Sequence, residues 1–334
     1  MPSPTLRQGG FNRPVTNMAV AYTQTPQDGA GWHRKMAPII PVTDKRVTYK
    51  IFNKGDWFRD EMARRPDGAA AAKAGYAMSD GTAELEWFSL RHDVTDAQAA
   101  NFGLQAAADQ YAARFLQQKA LISGDRLAAT NLLTAGVGWG TELVGAASAV
   151  PGTSVIGWSL ASSTPRVDLT DAIDTVRQRI GKKPNRLGLS PDVLKVLKRH
   201  SDFTAQVNGG ATSSNPGVVS ESALEDILGL PRGAIFEMGT VYNSAAKGQT
   251  ASMAYAVSEV AWVGYVPDAP QLFEPSAAYT FAFSEIDGLA EDGAVAIYTY
   301  RDEPLRADAY EADLYHDIQL VAGDCGYLFT SVLT

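Results

Sequence analysis

The chain has 334 residues, 45% of them apolar, and a formal net charge of -8 at pH 7. This composition excludes an intrinsically disordered protein, because such chains combine few apolar residues with a high net charge. The uninterrupted apolar stretches fall far short of the roughly 20 residues that a membrane-spanning helix needs. With a single cysteine, Cys325, and no apolar signal segment after Met1, we expect a protein made and kept in a reducing cytoplasm.

Residues 1–41 are expected to form an extended arm. Prolines recur through the segment among glycines and polar residues, and neither helical nor strand periodicity is visible. Such a segment buries little of its own surface, so it needs another surface to lie on.

The next segment, 42–91, predicts a long two-stranded hairpin. Val47, Tyr49 and Ile51 alternate with other residues, and the stretch from Ala83 to Leu90 alternates in the same way. The Ala- and Gly-rich connection between them is too long for a tight turn. An isolated two-stranded ribbon is marginal in water, so we expect neighbouring molecules to support this one.

A long helix is predicted to begin at Thr95. Thr95 and Gln98 fit a capping box, and apolar residues continue at helical spacing to about Ile122, before Ser123 and Gly124. The predicted length is roughly 40 Å at 1.5 Å per residue, which suits a spine better than a small core.

Helices alternate with short strands from 166 to 283, which predicts a compact α/β subdomain. Thr170 is the expected cap of a helix that ends at Gly181, and Ser222 is the expected cap of one that ends at Gly229. A small-polar loop is expected at 203–219. The remaining predicted elements are strands at 186–189, 234–238, 295–300, 310–321 and 327–333 and a helix at 190–199.

Charge is distributed unevenly along the chain. The stretch from Lys45 to Arg65 has a net charge of +4, and the stretch from Arg177 to Arg199 has eight basic residues against Asp192 alone. Residues 285–317 carry ten acids and two arginines. Opposed blocks of this kind either complement each other between copies of the chain or form solvated surfaces.

No pattern of catalytic or cofactor-binding residues stands out. The glycines of 136–140 are misplaced for a phosphate-binding G-x-G-x-x-G loop, and 157–161 lacks the last glycine of a nucleophile elbow. The four histidines lie too far apart in the sequence for a local metal motif. We therefore expect no enzyme activity, no cofactor and no bound metal.

Three segments nevertheless resemble a known family. They are 49–60 (YKIFNKGDWFRD), 168–191 with its DLTDAIDTVR and KPNRLGLSP runs, and 275–281 (PSAAYTF). Together they are similar to the major capsid proteins of tailed bacteriophages with the Hong Kong 97 fold. The resemblance implies an α+β fold with an N-terminal arm (1–41), an extended E-loop hairpin (42–91), a P-domain with a long spine helix (92–165), an α/β A-domain (166–283) and P-domain return strands (284–334).

The resemblance also implies a function and a contact surface. It implies a subunit that self-assembles as hexamers and pentamers into an icosahedral shell around double-stranded DNA, located in the virion capsid and, during assembly, in the host bacterial cytoplasm. Its implied partners are a separate scaffolding protein, a portal protein and a decoration protein, with non-specific proximity to DNA and no membrane contact. The candidate inter-subunit residues are Lys54, Asp56, Trp57, Phe58, Arg59, Asp60, Glu61, Arg64 and Arg65.

Two alternatives to the phage shell remain open from the sequence alone. One is a cellular encapsulating shell of the same fold, and the other is a cytoplasmic α/β enzyme that uses a nucleotide. The enzyme would leave the arm and the hairpin unexplained. A covalent crosslink through Lys45, Lys50, Lys54 or Lys73, as some relatives form, cannot be assigned to one lysine.

Overall fold

The computed structural model describes residues 29–68, 70–101, 105–207, 219–268, 274–284 and 295–333. The helices of this part are α1 (His33–Met36), α2 (Lys54–Trp57), α3 (Asp96–Asn101), α4 (Gln105–Leu132), α5 (Pro165–Ile180), α6 (Pro191–Leu197), α7 (Ser201–Val207) and α8 (Glu221–Leu228). Its strands are β1 (Ile39–Val42), β2 (Arg46–Phe52), β3 (Met78–Glu84), β4 (Glu86–Thr95), β5 (Thr141–Ala146), β6 (Ser154–Ile156), β7 (Arg186–Leu189), β8 (Ile235–Glu237), β9 (Val241–Asn243), β10 (Met253–Tyr255), β11 (Ala261–Gly264), β12 (Ala278–Phe283), β13 (Ala296–Asp302), β14 (Ala307–Leu320) and β15 (Gly326–Thr330).

A five-stranded sheet is built around the long strand β14. Strand β4 pairs antiparallel with one edge of β14, while β13 and β12 pair one after the other with the opposite edge. Strand β1 then pairs parallel with β12. The long helix α4 packs on this sheet through Ala112, Ala113 and Leu116, which meet Ile297 and Tyr310 in an apolar cluster.

The predicted long helix is confirmed at its start and extended at its end. The amide of Gln98 donates to Thr95 Oγ1 at 3.3 Å and the amide of Thr95 donates to Gln98 Oε1 at 3.1 Å, so the capping box is formed. Helix α4 runs to Leu132, ten residues beyond the expected end. Gly124 lies inside the helix rather than at its end. Its lack of a side chain makes room for the His33 ring, which a Cβ at Gly124 would approach to 2.9 Å.

A second sheet has six strands in the order β6–β5–β15–β11–β7–β8. Apolar residues of α5 pack against it, with Leu169, Ile173 and Val176 buried beside Trp158 and Phe329. The sheet takes β5, β6 and β15 from outside 166–283, while β12 leaves that segment for the five-stranded sheet. The domain division at 166 and 283 stays a prediction.

Two helix starts in this region differ from expectation. Helix α5 begins at Pro165 rather than near Thr170, whose hydroxyl donates to the Arg166 carbonyl at 2.8 Å. Helix α8 is capped by Ser220, which accepts from the Ala223 amide, and not by Ser222. Both ends are as predicted, with Gly181 and Gly229 in the left-handed conformation that ends a helix.

The predicted hairpin exists, but its second strand lies earlier than expected. Strand β2 pairs with β3, from Arg46 opposite Glu84 to Phe52 opposite Met78. The chain then crosses at Leu85, whose amide donates to the Lys45 carbonyl, and residues from Glu86 onward join β14 instead. The alternation around 83–90 therefore spans two strands of different sheets, which share one period-two pattern.

The base of the ribbon is supported by its own chain, and support from neighbouring molecules stays a prediction. One face of the ribbon packs on the five-stranded sheet, where Tyr49 stacks on Phe281 at 5.6 Å between ring centroids and Ala83 is fully buried. The end of the predicted arm also lies on the chain itself, since Trp32 and Met36 are buried in the core. Residues 1–28 lie outside the described part.

The predicted tail strands are confirmed as β13, β14 and β15. The prediction of a loop at 203–219 is wrong for its first residues, because α7 continues to Val207. Residues 208–218 lie outside the described part. Among the described residues, no helix combines the length and the apolar character needed to cross a membrane.

Candidate assembly surface

The far end of the β2–β3 ribbon is a loop, of which residues 53–68 and 70–77 are described. The Asn53 side chain accepts from the Gly55 amide at 2.9 Å and so starts the short helix α2. The Asn53 amide donates to the Ala77 carbonyl at 3.0 Å, and the Ala77 amide donates to Asp56 Oδ2 at the same distance. Asn53 and Asp56 therefore close the base of the loop, and Asp56 has a structural role within the chain.

Above this base, the loop exposes large apolar side chains. Trp57 lies 5.7 Å from Phe52 and 6.2 Å from Tyr76 between ring centroids, which makes a small aromatic cluster. The cluster is not covered, because Trp57 is 62% exposed and Tyr76 is 60% exposed. Met62, farther along the loop, is 95% exposed. Contiguous exposed apolar residues of this kind mark a surface that another molecule covers.

The predicted charged residues of the loop pair mainly with one another. Arg59 lies 3.5 Å from Asp56 and 3.4 Å from Glu61, and Asp60 accepts from the Met62 amide at 3.2 Å. The remaining two predicted residues, Arg64 and Arg65, are exposed. Arg59 therefore has carboxylate partners within its own loop, and such exposed pairs contribute about 0 to 1 kcal/mol each.

Two contacts attach the loop to the body of its own chain. Lys54 Nζ lies 2.6 Å from Asp324 Oδ1, which belongs to the turn before β15. The Phe58 ring lies against Gly181 at the end of α5, where a Cβ would come within 3.2 Å of it. Phe58 is nevertheless 64% exposed, so this seating is shallow.

Some charged residues of the blocks pair within the chain, with partners that lie outside the blocks. Lys182 pairs with Glu274 at 2.8 Å, and Lys198 pairs with Glu221 at 2.8 Å. In the acidic region, Arg301 binds Asp96 at 2.7 Å and lowers the pKa of that carboxyl. Pairing within one subunit therefore accounts for part of the opposed charge, while residues 285–294 lie outside the described part.

The glycine-rich loop 136–140 already holds an anion. The amides of Gly136, Gly138 and Trp139 all donate to the Glu142 carboxylate, with distances of 2.8 Å from Gly138 and 2.9 Å from Trp139. Three convergent amides suit a phosphate, but here a side chain of the same chain occupies them. The loop therefore has a structural use.

A serine–histidine pair elsewhere is arranged for structure. His200 Nδ1 accepts from the Asp202 amide, so Nε2 carries the proton and donates to Ser163 Oγ at 3.1 Å. Ser163 Oγ in turn donates to the Leu160 carbonyl at 2.6 Å. A general base must accept the proton of its nucleophile, and the direction of these bonds is the reverse.

The other reactive groups are also sequestered. Cys325 is buried, and burial raises the pKa of its thiol to about 12, which keeps it protonated and unreactive. Within the described ranges, no group of three or more His, Cys, Asp or Glu side chains is placed to hold a metal ion.

Comparison with known proteins gives a clear result for the fold. No protein-family model matches the sequence, and no curated protein matches it. Among solved structures, a phage-related protein from Bordetella bronchiseptica RB50 is 19% identical with a TM-score of 0.68, and the match covers 96% of each chain. The SrpI encapsulin of Synechococcus elongatus PCC 7942 is 12% identical with a TM-score of 0.52, covering 93% of this chain and 91% of the other. The capsid of cyanophage P-SCSP1u is 11% identical with a TM-score of 0.51, covering 88% of this chain and 86% of the other.

These matches cover nearly the whole chain. The α+β class and the Hong Kong 97-type capsid fold are therefore confirmed, as is the resemblance to tailed-phage capsid proteins. The sequence motif at 49–60 pointed to the loop but missed Met62 and Tyr76. It also missed Gly181 and Asp324 as the residues on which the loop rests, since Gly181 stands out only as a helix end and Asp324 does not stand out from its sequence neighbours.

Proposed function

We propose that the chain is the major capsid protein of a tailed bacteriophage, which self-assembles as hexamers and pentamers into the icosahedral shell around a double-stranded DNA genome. The observation that carries the proposal is the exposed aromatic loop at the end of the ribbon, in a chain whose fold is that of shell subunits. An aromatic cluster with Trp57 at 62% exposure is costly in water unless a second molecule covers it.

In the proposed shell, the loop of one copy binds to a second copy. It binds there to the same site that it contacts here on its own chain. The site consists of Gly181 and Asp324, and the groups that enter it are Phe58 and Lys54. Exchange of an identical element between copies reuses contacts that already fit, so it needs no new complementarity. The shallow seating of Phe58 makes the contact within one chain easy to leave.

The assembly's stability comes from many weak contacts. The Lys54–Asp324 pair is half exposed and contributes at most about 1 kcal/mol. Burial of Trp57, Phe58, Met62 and Tyr76 between copies contributes more, since aromatic residues and Met are typical of the buried centres of interfaces. Repetition over all copies of a closed shell then gives a large total.

The proposed partners follow from this role. A separate scaffolding protein guides assembly in the host bacterial cytoplasm, a portal protein occupies one vertex, and a decoration protein binds the finished virion capsid. The net charge of -8 disfavours tight phosphate binding, so contact with the packaged DNA is non-specific.

Electron microscopy of the protein expressed with its scaffold tests assembly. We expect closed shells of uniform size from the natural sequence and few or none from a Trp57→Ala, Phe58→Ala double variant whose monomer is folded. A Val241→Ala variant, exposed on the β9–β10 ribbon, is the matched control and should still assemble. Monodisperse monomer from the natural sequence with its scaffold would overturn the proposal.

Charge exchange at one pair tests the contact between copies separately. Lys54→Asp and Asp324→Lys each place like charges at the site, both within a chain and between identical chains. A mixture of the two variants restores opposite charges only between different chains, so assembly should recover on mixing. The double variant restores the pair in every arrangement and is the positive control. Assembly of either single variant alone at the natural yield would show that this pair is not part of the interface.

A second shell function is supported by the match to an encapsulin. An encapsulating shell of the same fold would enclose a protein cargo rather than a genome. The contents of purified particles separate the two, because phage heads yield double-stranded DNA and encapsulating shells yield a co-purifying protein. The nucleotide-using enzyme is disfavoured, since the amides of Gly136, Gly138 and Trp139 already bind Glu142.

A further inference from the structure

A buried carboxylate ties the N-terminal segment 29–42 to the long helix. Asp125, on α4, is fully buried and accepts four hydrogen bonds. Its Oδ1 accepts from the His33 amide at 3.1 Å and lies 2.7 Å from His33 Nδ1. Its Oδ2 accepts from the Gly31 amide at 2.7 Å and from the Thr240 hydroxyl. One carboxylate thus holds the start of the segment and a loop of the six-stranded sheet.

Beside this network lies a small cavity with several ionisable side chains in its lining. The cavity has a volume of about 30 Å³, enough for one or two water molecules. His33 and Arg34 line it from α1, Gly124 lines it from α4, and His316 lines it from β14. Two histidines and one arginine therefore surround one small space.

His316 is held neutral by this environment. It is 8% exposed, its ring stacks on Phe88 at 5.1 Å, and its Nδ1 has no hydrogen-bond partner among the described atoms. Burial, together with the charges of His33 and Arg34, lowers the pKa of His316 to about 4.

Among the described residues, the other elements around His316 offer no free buried carboxylate to balance a proton there. The partner of His316 on β4 is Glu86, which is exposed, and its partner on β12 is Ala282. From β12 the cavity is lined by Thr280 and Ala282, neither of which ionises. On α4, Asp125 is already engaged by four donors.

We propose that His316 is a proton-sensitive latch for the segment 29–42, whose protonation in acid releases that segment from α4 and β12 while the two sheets remain folded. The added positive charge faces His33 and Arg34 across the cavity, and both of these belong to the segment that leaves. Its departure admits water to His316 and separates the like charges. The proposal does not depend on the shell function.

The way the segment is attached makes a local release feasible. Strand β1 is an edge strand of its sheet and, among the described strands, pairs with β12 alone, through Ile39–Val42. Helix α1 has only four residues and is anchored by Trp32 and Met36. By contrast, β14 has strands on both edges along most of its length, so it stays in place.

Hydrogen–deuterium exchange of the full chain between pH 7 and pH 4 tests the latch, after correction for intrinsic exchange rates. We expect peptides covering 29–42 to lose protection as the pH falls below 6.5, with the opening constant rising about 100-fold between pH 7 and pH 4. Peptides covering β7 and β11 should keep their protection over the same range.

The key variant is His316→Phe, which can stack on Phe88 and never ionises. It should keep segment 29–42 protected down to pH 4, and His316→Gln serves the same purpose if the Phe variant does not fold. The matched control is His92→Phe at the partly exposed His92, which should behave as the natural sequence does. Equal acid release from the His316 variants would overturn the proposal, as would simultaneous loss of protection throughout the chain.

Discussion

The six-stranded sheet and the loop at the end of the β2–β3 ribbon use the same residue types for opposite purposes. In the sheet, Trp262 is fully buried and lies 5.6 Å from Trp139 between ring centroids. In the loop, Trp57 also lies in an aromatic cluster, yet 62% of it is exposed. The sheet is complete within one chain, whereas the loop is ordered by its own hydrogen bonds and still presents an uncovered apolar surface.

This contrast shows how one subunit can be stable and remain ready to assemble. The folding free energy comes from the two sheets and α4, so the loop can keep its aromatic side chains exposed. Variants of the sheet should therefore lower the free energy of unfolding, and variants of the loop should change assembly with little effect on unfolding.

The largest expected effect is that of Trp262→Ala. Removing this side chain leaves a cavity between Trp139 and Phe236, and such truncations lower the free energy of unfolding by about 3 to 5 kcal/mol. Urea unfolding of the unassembled chain measures the change.

Trp57→Ala is the matched control for that experiment, because it truncates the same residue type on the loop. Its free energy of unfolding should change by less than about 0.5 to 1 kcal/mol. If the two variants lost similar stability, the loop would be part of the folding core and the contrast would be wrong.

The second effect is the dependence of stability on pH through His316. The pKa of His316 is lowered from 6.5 to about 4 on folding, so the unfolded chain binds the proton more tightly. The contribution of neutral His316 to the free energy of unfolding is complete above pH 6.5 and is lost as the pH falls towards 4. A shift of this size corresponds to about 3 kcal/mol.

That loss is read from the difference between the natural chain and His316→Phe, because other groups titrate in the same range. Asp168 acts in the opposite sense, since burial raises the pKa of its carboxyl. Urea unfolding should show that the free energy of unfolding falls more between pH 7 and pH 4.5 for the natural chain than for His316→Phe. Equal losses of unfolding free energy in the two chains would show that other groups cause the acid sensitivity.

Local signals in the sequence predicted much of the fold. The capping box of Thr95 and Gln98 and the helix-ending glycines Gly181 and Gly229 act through neighbours in the chain, so the pattern alone reveals them. The motif at 49–60 likewise located the loop.

What the sequence could not predict depends on contacts distant in the chain. The sequence pattern predicts a helix end at Gly124, but this glycine leaves space for the ring of His33, 91 positions earlier. The change from one sheet to the other at Leu85 could not be predicted, because β3 and β4 continue the same period-two alternation of residues. Asp324 and Gly181 receive the loop only because the fold brings them beneath it.

The third prediction concerns a glycine in the sheet. A Cβ at Gly188, on β7, would lie 2.8 Å from the Phe236 ring on β8. Gly188→Ala therefore overpacks a buried site, and we expect the free energy of unfolding to fall by about 1 to 3 kcal/mol. Combining it with Phe236→Leu should recover part of the loss, which the same urea titration detects. An unchanged midpoint for Gly188→Ala would show that Phe236 moves aside without cost.

The smallest effect, with the opposite sign, is expected for a glycine of the loop. Gly75 has open space where a Cβ would lie, and its φ is outside the left-handed region. Gly75→Ala restricts the unfolded chain without a clash, so it should raise the free energy of unfolding by about 0.4 to 1 kcal/mol. Gly68→Ala is the control, because Gly68 has equal space but a φ of 77° and should lose stability. If both alanines had the same effect, the loop would not keep this backbone conformation in solution. The loop's exposed aromatic surface would then form only on contact with another copy.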